Sequence, residues 1–188
     1  EPIALFDDSD IAKRYGKKFE DLDRVIDASS QKQEIVNGYH VCEAVVLTKE
    51  EKQPVSLYSK IYSCKSDGFK SMNSYTFESI DKVRTVLNRK CNMVFDRGYD
   101  DVKVIEYIDK NKDYFVIRMD DNRTFLFKGK KKKCYDVAIK RKGKIRMELW
   151  FDDNEKYEVS VSHTKVVLPH NKKEYELVIV YGLSEERP

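Results

Sequence analysis

The sequence predicts an α/β fold of the α+β kind, a mixed sheet with helices followed by an antiparallel β-rich part. Three observations carry this. Between residues 74 and 119 helical and strand patterns alternate, the βαβ signature of parallel pairing. Beyond Arg123 apolar and polar residues alternate strictly, as in antiparallel strands with one wet face. Two apolar runs, Pro2–Phe6 and Cys91–Phe95, each lead into an aspartate, which is how strands deliver carboxylates to the site edge of an open α/β sheet.

The elements follow in order. Pro2-Ile3-Ala4-Leu5-Phe6 reads as a short strand ending at Asp7-Asp8-Ser9-Asp10. The charged block from Ile11 to Asn37 reads as loop, with one amphipathic turn near Phe19, Leu22 and Ile26. Gly38 opens a strand over Tyr39–Leu47 whose Ala44-Val45-Val46-Leu47 centre suits burial. A turn at Lys49–Gln53 joins it to a strand over Pro54–Tyr62, with Val55, Leu57, Ser59 and Ile61 on one face. The two form an antiparallel hairpin. Ser74 is the expected N-cap of a helix carrying Phe77, Ile80, Val83, Val86 and Leu87, and Arg89-Lys90 suit its C-terminus. The strand to Asp96 follows, then a turn at Gly98 and a helix marked by Val102, Ile105 and Ile108 with Asp100 and Asp101 in its first turn. Tyr114–Met119 reads as a further strand. Four alternating segments complete the chain: Tyr135/Val137/Ile139, Ile145/Met147/Leu149/Phe151, Tyr157/Val159/Val161 and Tyr175/Leu177/Ile179/Tyr181. Gly129, Gly143, Asp152-Asp153-Asn154 and His170-Asn171 mark the joints, and Trp150 is expected in the core. The organisation expected is a core over 1–120 with the antiparallel part, 121–188, packed on it.

Composition narrows the class of function. At 188 residues the chain is one domain, or one with a large insertion. Twelve Tyr and nine Phe exclude a disordered chain despite 37% charged residues. A net charge of +3 does not announce nucleic-acid binding, so any basic surface must be local. Cys42, Cys64, Cys91 and Cys134 form no C-x-x-C pair, and with His40, His163 and His170 show no zinc-ligand spacing. Reduced thiols and a cytoplasmic location are expected. No apolar run approaches the roughly 20 residues of a membrane span, and no signal-peptide pattern is present. The chain starts Glu-Pro and stops at Glu-Glu-Arg-Pro, so a piece of a longer protein is expected.

Asp7 and Asp96 are the chemically suggestive pair. Two carboxylates brought together repel and favour a hard cation, Mg²⁺ or Mn²⁺, held by carboxylates and substrate phosphate. The plain alternative is that both aspartates cap turns or helices, as Asp does widely. Lys128-Gly129-Lys130-Lys131-Lys132-Lys133 and Lys140-Arg141-Lys142-Gly143-Lys144 read as hairpin tips. These meet DNA phosphates or are merely solvated turns protecting sheet edges. Arg97 suits a phosphate contact or an ion pair equally well.

Several blocks resemble DDE-type insertion-sequence transposases. They are Asp7-Asp8-Ser9-Asp10-Ile11-Ala12-Lys13, Lys17-Lys18-Phe19-Glu20, Asp27-Ala28-Ser29 and Gly38-Tyr39, then Pro54-Val55-Ser56-Leu57-Tyr58 with Tyr62-Ser63, and Val94-Phe95-Asp96-Arg97-Gly98-Tyr99-Asp100. The similarity runs in order from residue 3 to about 118. It implies a ribonuclease H-like core whose catalytic aspartates end the first and fourth strands, here Asp7 and Asp96. Asp8 is a rival to Asp7, which is preferred because it precedes the Ser by two. It also implies a two-ion Mg²⁺ or Mn²⁺ site, hydrolysis at transposon ends followed by 3′-OH strand transfer into target DNA, a homodimer with DNA in the whole protein, and a bacterial cytoplasmic location. Residues 123 to 181 match in position the β-rich insertion that one branch carries before its catalytic Glu. No Tyr/Arg-rich block with that Glu is present, and Glu174, Glu176, Glu185 and Glu186 lie in or beside a strand-like run. The third acid is therefore expected outside this chain. Lys13, Arg97, Lys130, Lys131, Lys132 and Lys133 are the candidate DNA contacts. Two other readings stay open: a haloacid dehalogenase-type phosphatase with Asp8 as nucleophile and Asp10 as general acid, and a non-catalytic DNA-binding domain.

Overall fold

One long strand, β1 (Ile3–Ala12), runs through the middle of the first sheet. The computed structural model describes residues 1–30, 32–49, 53–150 and 155–183. It divides into two units, Glu1–Arg118 and Met119–Pro188. The first holds β1, β2 (Asp23–Ile26), β3 (Ile35–Leu47), β4 (Pro54–Tyr62), α1 (Met72–Leu87), β5 (Asn92–Phe95), a 3-10 turn (Arg97–Tyr99), α2 (Val102–Lys110) and β6 (Tyr114–Ile117).

The sheet is mixed, as the sequence predicts. β3 pairs antiparallel with β1 along its whole length, from Ile3 opposite Leu47 to Ala12 opposite Gly38. β5 pairs parallel with β1, and β6 parallel with β5. On its other edge β3 holds β2 at Ile35–Gly38 and β4 at His40–Leu47. Three strands meet at Gly38, where a Cβ would stand 2.2 Å from the Ile11 carbonyl oxygen and 2.4 Å from Val25 Cγ2. Only glycine fits so close an approach of backbones.

β1 does not stop at Asp7, and residues 11–37 are not all loop. β1 continues to Ala12 because β3 supplies hydrogen-bond partners throughout. β2, with Asp23 and Val25 buried and Arg24 and Ile26 exposed, follows the period-2 rule over only four residues. The predicted β3–β4 hairpin is present, its residues 50–52 lying outside the described ones. The inner face of β4 is not the expected Val55/Leu57/Ser59/Ile61 set. Ile61 is 60% exposed whereas Tyr62 is 5% exposed and stacks on Tyr75.

α1 starts three residues earlier than expected: Ser71, not Ser74, caps it by accepting the Ser74 amide hydrogen, and Asn88 closes it in the left-handed region. It buries Thr76, Ser79, Ile80 and Val83 and leaves Val86 exposed. Asp101 caps α2, which buries Val104, Ile105 and Ile108 as its periodicity predicts. Phe77 of α1 stacks on Tyr107 of α2 at 4.2 Å. Ile80, Met93, Ile105 and Ile108 are fully buried, each worth about 1.5–3 kcal/mol of removed apolar surface. β6 is four residues long, shorter than the predicted Tyr114–Met119.

The second unit contains β7 (Thr124–Phe127), β8 (Lys130–Lys133), α3 (Cys134–Ala138), β9 (Ile145–Trp150), β10 (Lys156–Val167) and β11 (Glu174–Tyr181). The sheet order is β11-β10-β7-β8, with β9 paired to β10, all antiparallel. The antiparallel character is as predicted. The Tyr135/Val137/Ile139 strand is not: these residues form α3 and its C-cap, burying the consecutive Val137 and Ala138. Lys128 and Gly129, both at positive φ, make the two-residue turn between β7 and β8. Lys130–Lys133 is thus a strand rather than a tip, and the basic run from Lys140 joins α3 to β9 rather than two strands. Trp150, expected in the core, is 62% exposed, and Ile145 and Met147 are exposed with it. β9 is an edge strand held by β10 alone. Phe151 and the Asp152-Asp153-Asn154 turn lie outside the described residues, as do Glu185 and Glu186. Among the described residues no helix is long and apolar enough to cross a membrane.

Candidate functional site

The register of β1 against β5 decides what Asp7 meets. Phe6 is level with Phe95, the last pair of this parallel ladder, and the two aspartates that follow lie close enough for the Asp96 charge to act on the Asp7 carboxyl. Phe6 and Phe95 stack at 4.5 Å and 15° directly behind them, and Tyr99 tilts against Phe95 at 5.1 Å. This aromatic wedge fixes the register. On the other side Asp7 lies opposite Glu43 of β3, and opposed residues share a sheet face. Burial, then the charges of Asp96 and Glu43, push the Asp7 carboxyl above its ordinary value.

Asp96 directly follows β5. Its Oδ1 accepts the Gly98 amide hydrogen at 2.8 Å and so caps the 3-10 turn. The capping alternative is therefore real for Asp96, and it occupies one oxygen of the two. Arg97 stands exposed beside it.

Asp8 is on the opposite face from Asp7, as strand alternation requires. It lies opposite Cys42, and the buried Tyr99 hydroxyl faces it without completing a hydrogen bond of good geometry. Burial raises its carboxyl; Cys42 and Tyr99 pull against this, and the charges of Asp7 and Asp96 add to the rise. Asp10, two residues on, is committed: it accepts the Ile26 amide hydrogen at 2.9 Å and the His40 Nδ1 hydrogen at 2.7 Å. Lys13 is exposed just past β1, its amide bonded to the Asn37 carbonyl.

The remaining candidates belong to the second unit. Lys130 and Lys132 alternate with Lys131 and Lys133 along β8, and Lys133 Nζ donates to Asn122 Oδ1 at 3.2 Å. Lys128, Lys130, Lys132, Lys140 and Arg141 line a cavity of about 540 Å³, with Asp136 the acid among them. The two basic runs of the sequence thus meet at one concavity.

Glu43 and the group Asp23, His40 and Cys64 were not singled out from the sequence. Glu43 sits inside an apolar strand, and its relation to Asp7 depends on long-range register. Asp23, His40 and Cys64 are far apart in the chain and follow no ligand spacing. Among the described residues they form the one group of three whose ligand atoms all lie within 4.8 Å of each other. The Asp7–Asp96 pair offers only oxygens, exposed and mutually repelling. That donor set fits a hard divalent cation, which takes one or two protein carboxylates and completes its shell with water and phosphate.

Comparison with protein-family models and with curated proteins finds no significant match to this chain.

Proposed function

We propose that Glu1–Arg118 is the ribonuclease H-like core of a DDE-type transposase catalytic domain. The observation that carries the reading is that Asp7 and Asp96 directly follow the paired Phe6 and Phe95 and that the Asp96 charge acts on Asp7. With the short β2 counted as an edge addition, β1 and β5 are the first and fourth strands, ordered β4-β3-β1-β5-β6. The transposase resemblance puts its two aspartates at the ends of the first and fourth strands. Asp7 lies within β1 rather than at its end, which the strand's extension by β3 explains.

In this reading Asp7 and Asp96 hold Mg²⁺ or Mn²⁺. A pair of such ions, held by Asp7, Asp96 and a further acid, would supply an activated water and stabilise the leaving oxygen of a phosphodiester displacement. The Phe6–Phe95 stack keeps the carboxylates in register, and the Gly98 amide orients Asp96. Arg97 meets a phosphate next to the pair. Asp8, turned to the other face, stays out of the reaction and ranks below Asp7. The mixed sheet and the commitment of Asp10 to His40 and Ile26 favour this over the phosphatase reading, which needs Asp10 as an acid in a doubly wound parallel sheet. A transposase-type role carries with it DNA as partner and a cytoplasmic site of action. Lys130 and Lys132, on the cavity, serve as phosphate contacts that add affinity without sequence preference.

The test is a crystal structure with Mn²⁺ soaked in. Anomalous density between Asp7 and Asp96, absent in Asp96→Asn, is expected, with little DNA nicking by this chain. Carboxylates too far apart to share an ion would overturn the site. Robust metal-dependent nicking that is lost in Asp96→Asn would overturn the need for a third acid from elsewhere.

A further inference from the structure

β2 and β4 lie end to end along the same edge of β3, Asp23 opposite Gly38 and Tyr62 opposite His40. The start of β2 therefore abuts the segment leaving β4, and the Cys64 amide donates to Asp23 Oδ2 at 2.8 Å. His40 faces the same junction from β3. Its Nδ1 is 2.7 Å from Asp10 Oδ1. A carboxylate oxygen accepts, so Nδ1 donates to Asp10 and Nε2 is the nitrogen turned toward Asp23. Nε2 and Asp23 Oδ2 stand 3.6 Å apart. That is too long for a hydrogen bond, and it matches the roughly 3.3–3.8 Å separating two ligands of a tetrahedral zinc ion.

We propose that Asp23, His40 and Cys64 form a three-ligand site for a zinc-type cation, with a fourth position open to water. The Asp23, His40 and Cys64 ligand atoms all lie within 4.8 Å of one another. Thiolate, imidazole and carboxylate together select Zn²⁺ or Co²⁺ over Mg²⁺, which demands oxygen ligands. Asp10 is the outer-shell carboxylate that such a histidine ordinarily has, fixing ring and tautomer. Asp23 and His40 are largely enclosed, their side chains 13% and 14% exposed. Cys64 is exposed and leaves an entry path. The ion would tie β2 and β3 to the segment after β4, adding to the strand ladders and to the bonds from the Cys64 amide and Lys65 that already join them. The site does not depend on the transposase reading.

The test is titration of the reduced protein with Co²⁺, followed by its thiolate-to-metal absorption and by displacement with Zn²⁺. One saturable site with a thiolate band is expected. The band should vanish in Cys64→Ser and survive in Cys134→Ser and in Asp96→Asn. His40→Gln should weaken binding by more than the roughly 100-fold that outer-shell changes reach. In the unaltered protein Zn²⁺ should slow alkylation of Cys64 and leave Cys134 unprotected, a readout that needs no variant to fold. Absence of a saturable thiolate band, a band that persists without Cys64, or equal protection of both cysteines would overturn the site. The cluster would then be an imidazolium bridging Asp10 and Asp23.

Discussion

The first sheet carries two groups of candidate ligands whose chemistry is opposed. Asp7, with Asp96 and Glu43 as neighbours, gathers oxygens of one sign, and the Asp7 carboxyl is pushed up by burial and by both neighbours. At the other group burial alone would raise Asp23. Hydrogen bonds from the Arg24 and Cys64 amides and from the Cys64 side chain, with the His40 charge, outweigh it and hold Asp23 below its ordinary value. The first group gathers like charges that repel, and the second is tied together by hydrogen bonds. Under the two proposals the first would take a hard ion shared with a phosphate, and the second a softer ion that joins strands. Charge repulsion of this kind costs stability, and shifted carboxyls cluster at functional sites in general.

The largest expected effect separates the two through Asp10. Asp10→Asn should lower Co²⁺ affinity at Asp23/His40/Cys64 by about 10–100-fold, since the outer-shell partner sets the ring. Mn²⁺ binding at Asp7 should stay within about twofold. Titrations of the same sample with both ions, beside a melt of the metal-free protein, check this. Equal losses for both ions would mean that Asp10 merely supports the sheet. The reciprocal change, Asp96→Asn, should cost roughly tenfold in Mn²⁺ affinity by electron paramagnetic resonance, about 1.4 kcal/mol, and leave the Co²⁺ thiolate band untouched.

How far each group was legible in the sequence follows from how each is assembled. Asp96 stood out because β5 and α2 have strong local signals, a buried run and a 3.6 periodicity, with a Gly turn between them. Asp7 stood out as the end of an apolar run, although the strand runs on through Asp8, Ser9 and Asp10. Polar residues continue a strand when a neighbour pairs with every one of them, and β3 does so. No local window contains that information. The Asp23/His40/Cys64 group was invisible for the same reason: it exists only because β2 and β4 share one edge of β3. Short segments failed differently. Tyr135, Val137 and Ile139 alternate as a strand would, yet five residues cannot separate periods of 2 and 3.6, and the burial of adjacent Val137 and Ala138 decides for α3.

A third measurement needs no added metal. Asp23→Asn removes a charge that accepts amide hydrogens from Arg24 and Cys64 at 2.7 and 2.8 Å. Hydrogen bonds to charged groups are worth about 1.5–3 kcal/mol, so the melting temperature at pH 7 should fall by roughly 4 °C. Because the folded value of Asp23 is depressed, its contribution is present above the unfolded value of about 3.9 and is lost as pH falls through the folded value. The deficit of the variant should therefore shrink on acidification below about pH 4. A deficit unchanged at low pH would assign the effect to packing.

Asp7→Asn gives the smallest effect and the opposite sign. The folded Asp7 carboxyl is raised, so its share of stability is present below about pH 3.9 and is lost as pH rises through its folded value. Removing the charge relieves the repulsion from Asp96 and Glu43. Without divalent ions the variant should melt about 2 °C higher than the parent at pH 7, a gain that disappears near pH 3. The carboxyl is largely open to solvent, which keeps the gain small. Saturating Mn²⁺ should then reverse the ranking, because the ion stabilises only the protein that retains both carboxylates. A variant less stable than the parent in the absence of metal would mean that Asp7 is held by contacts that favour its charge. The opposition between the two ligand groups would then fail at its first member.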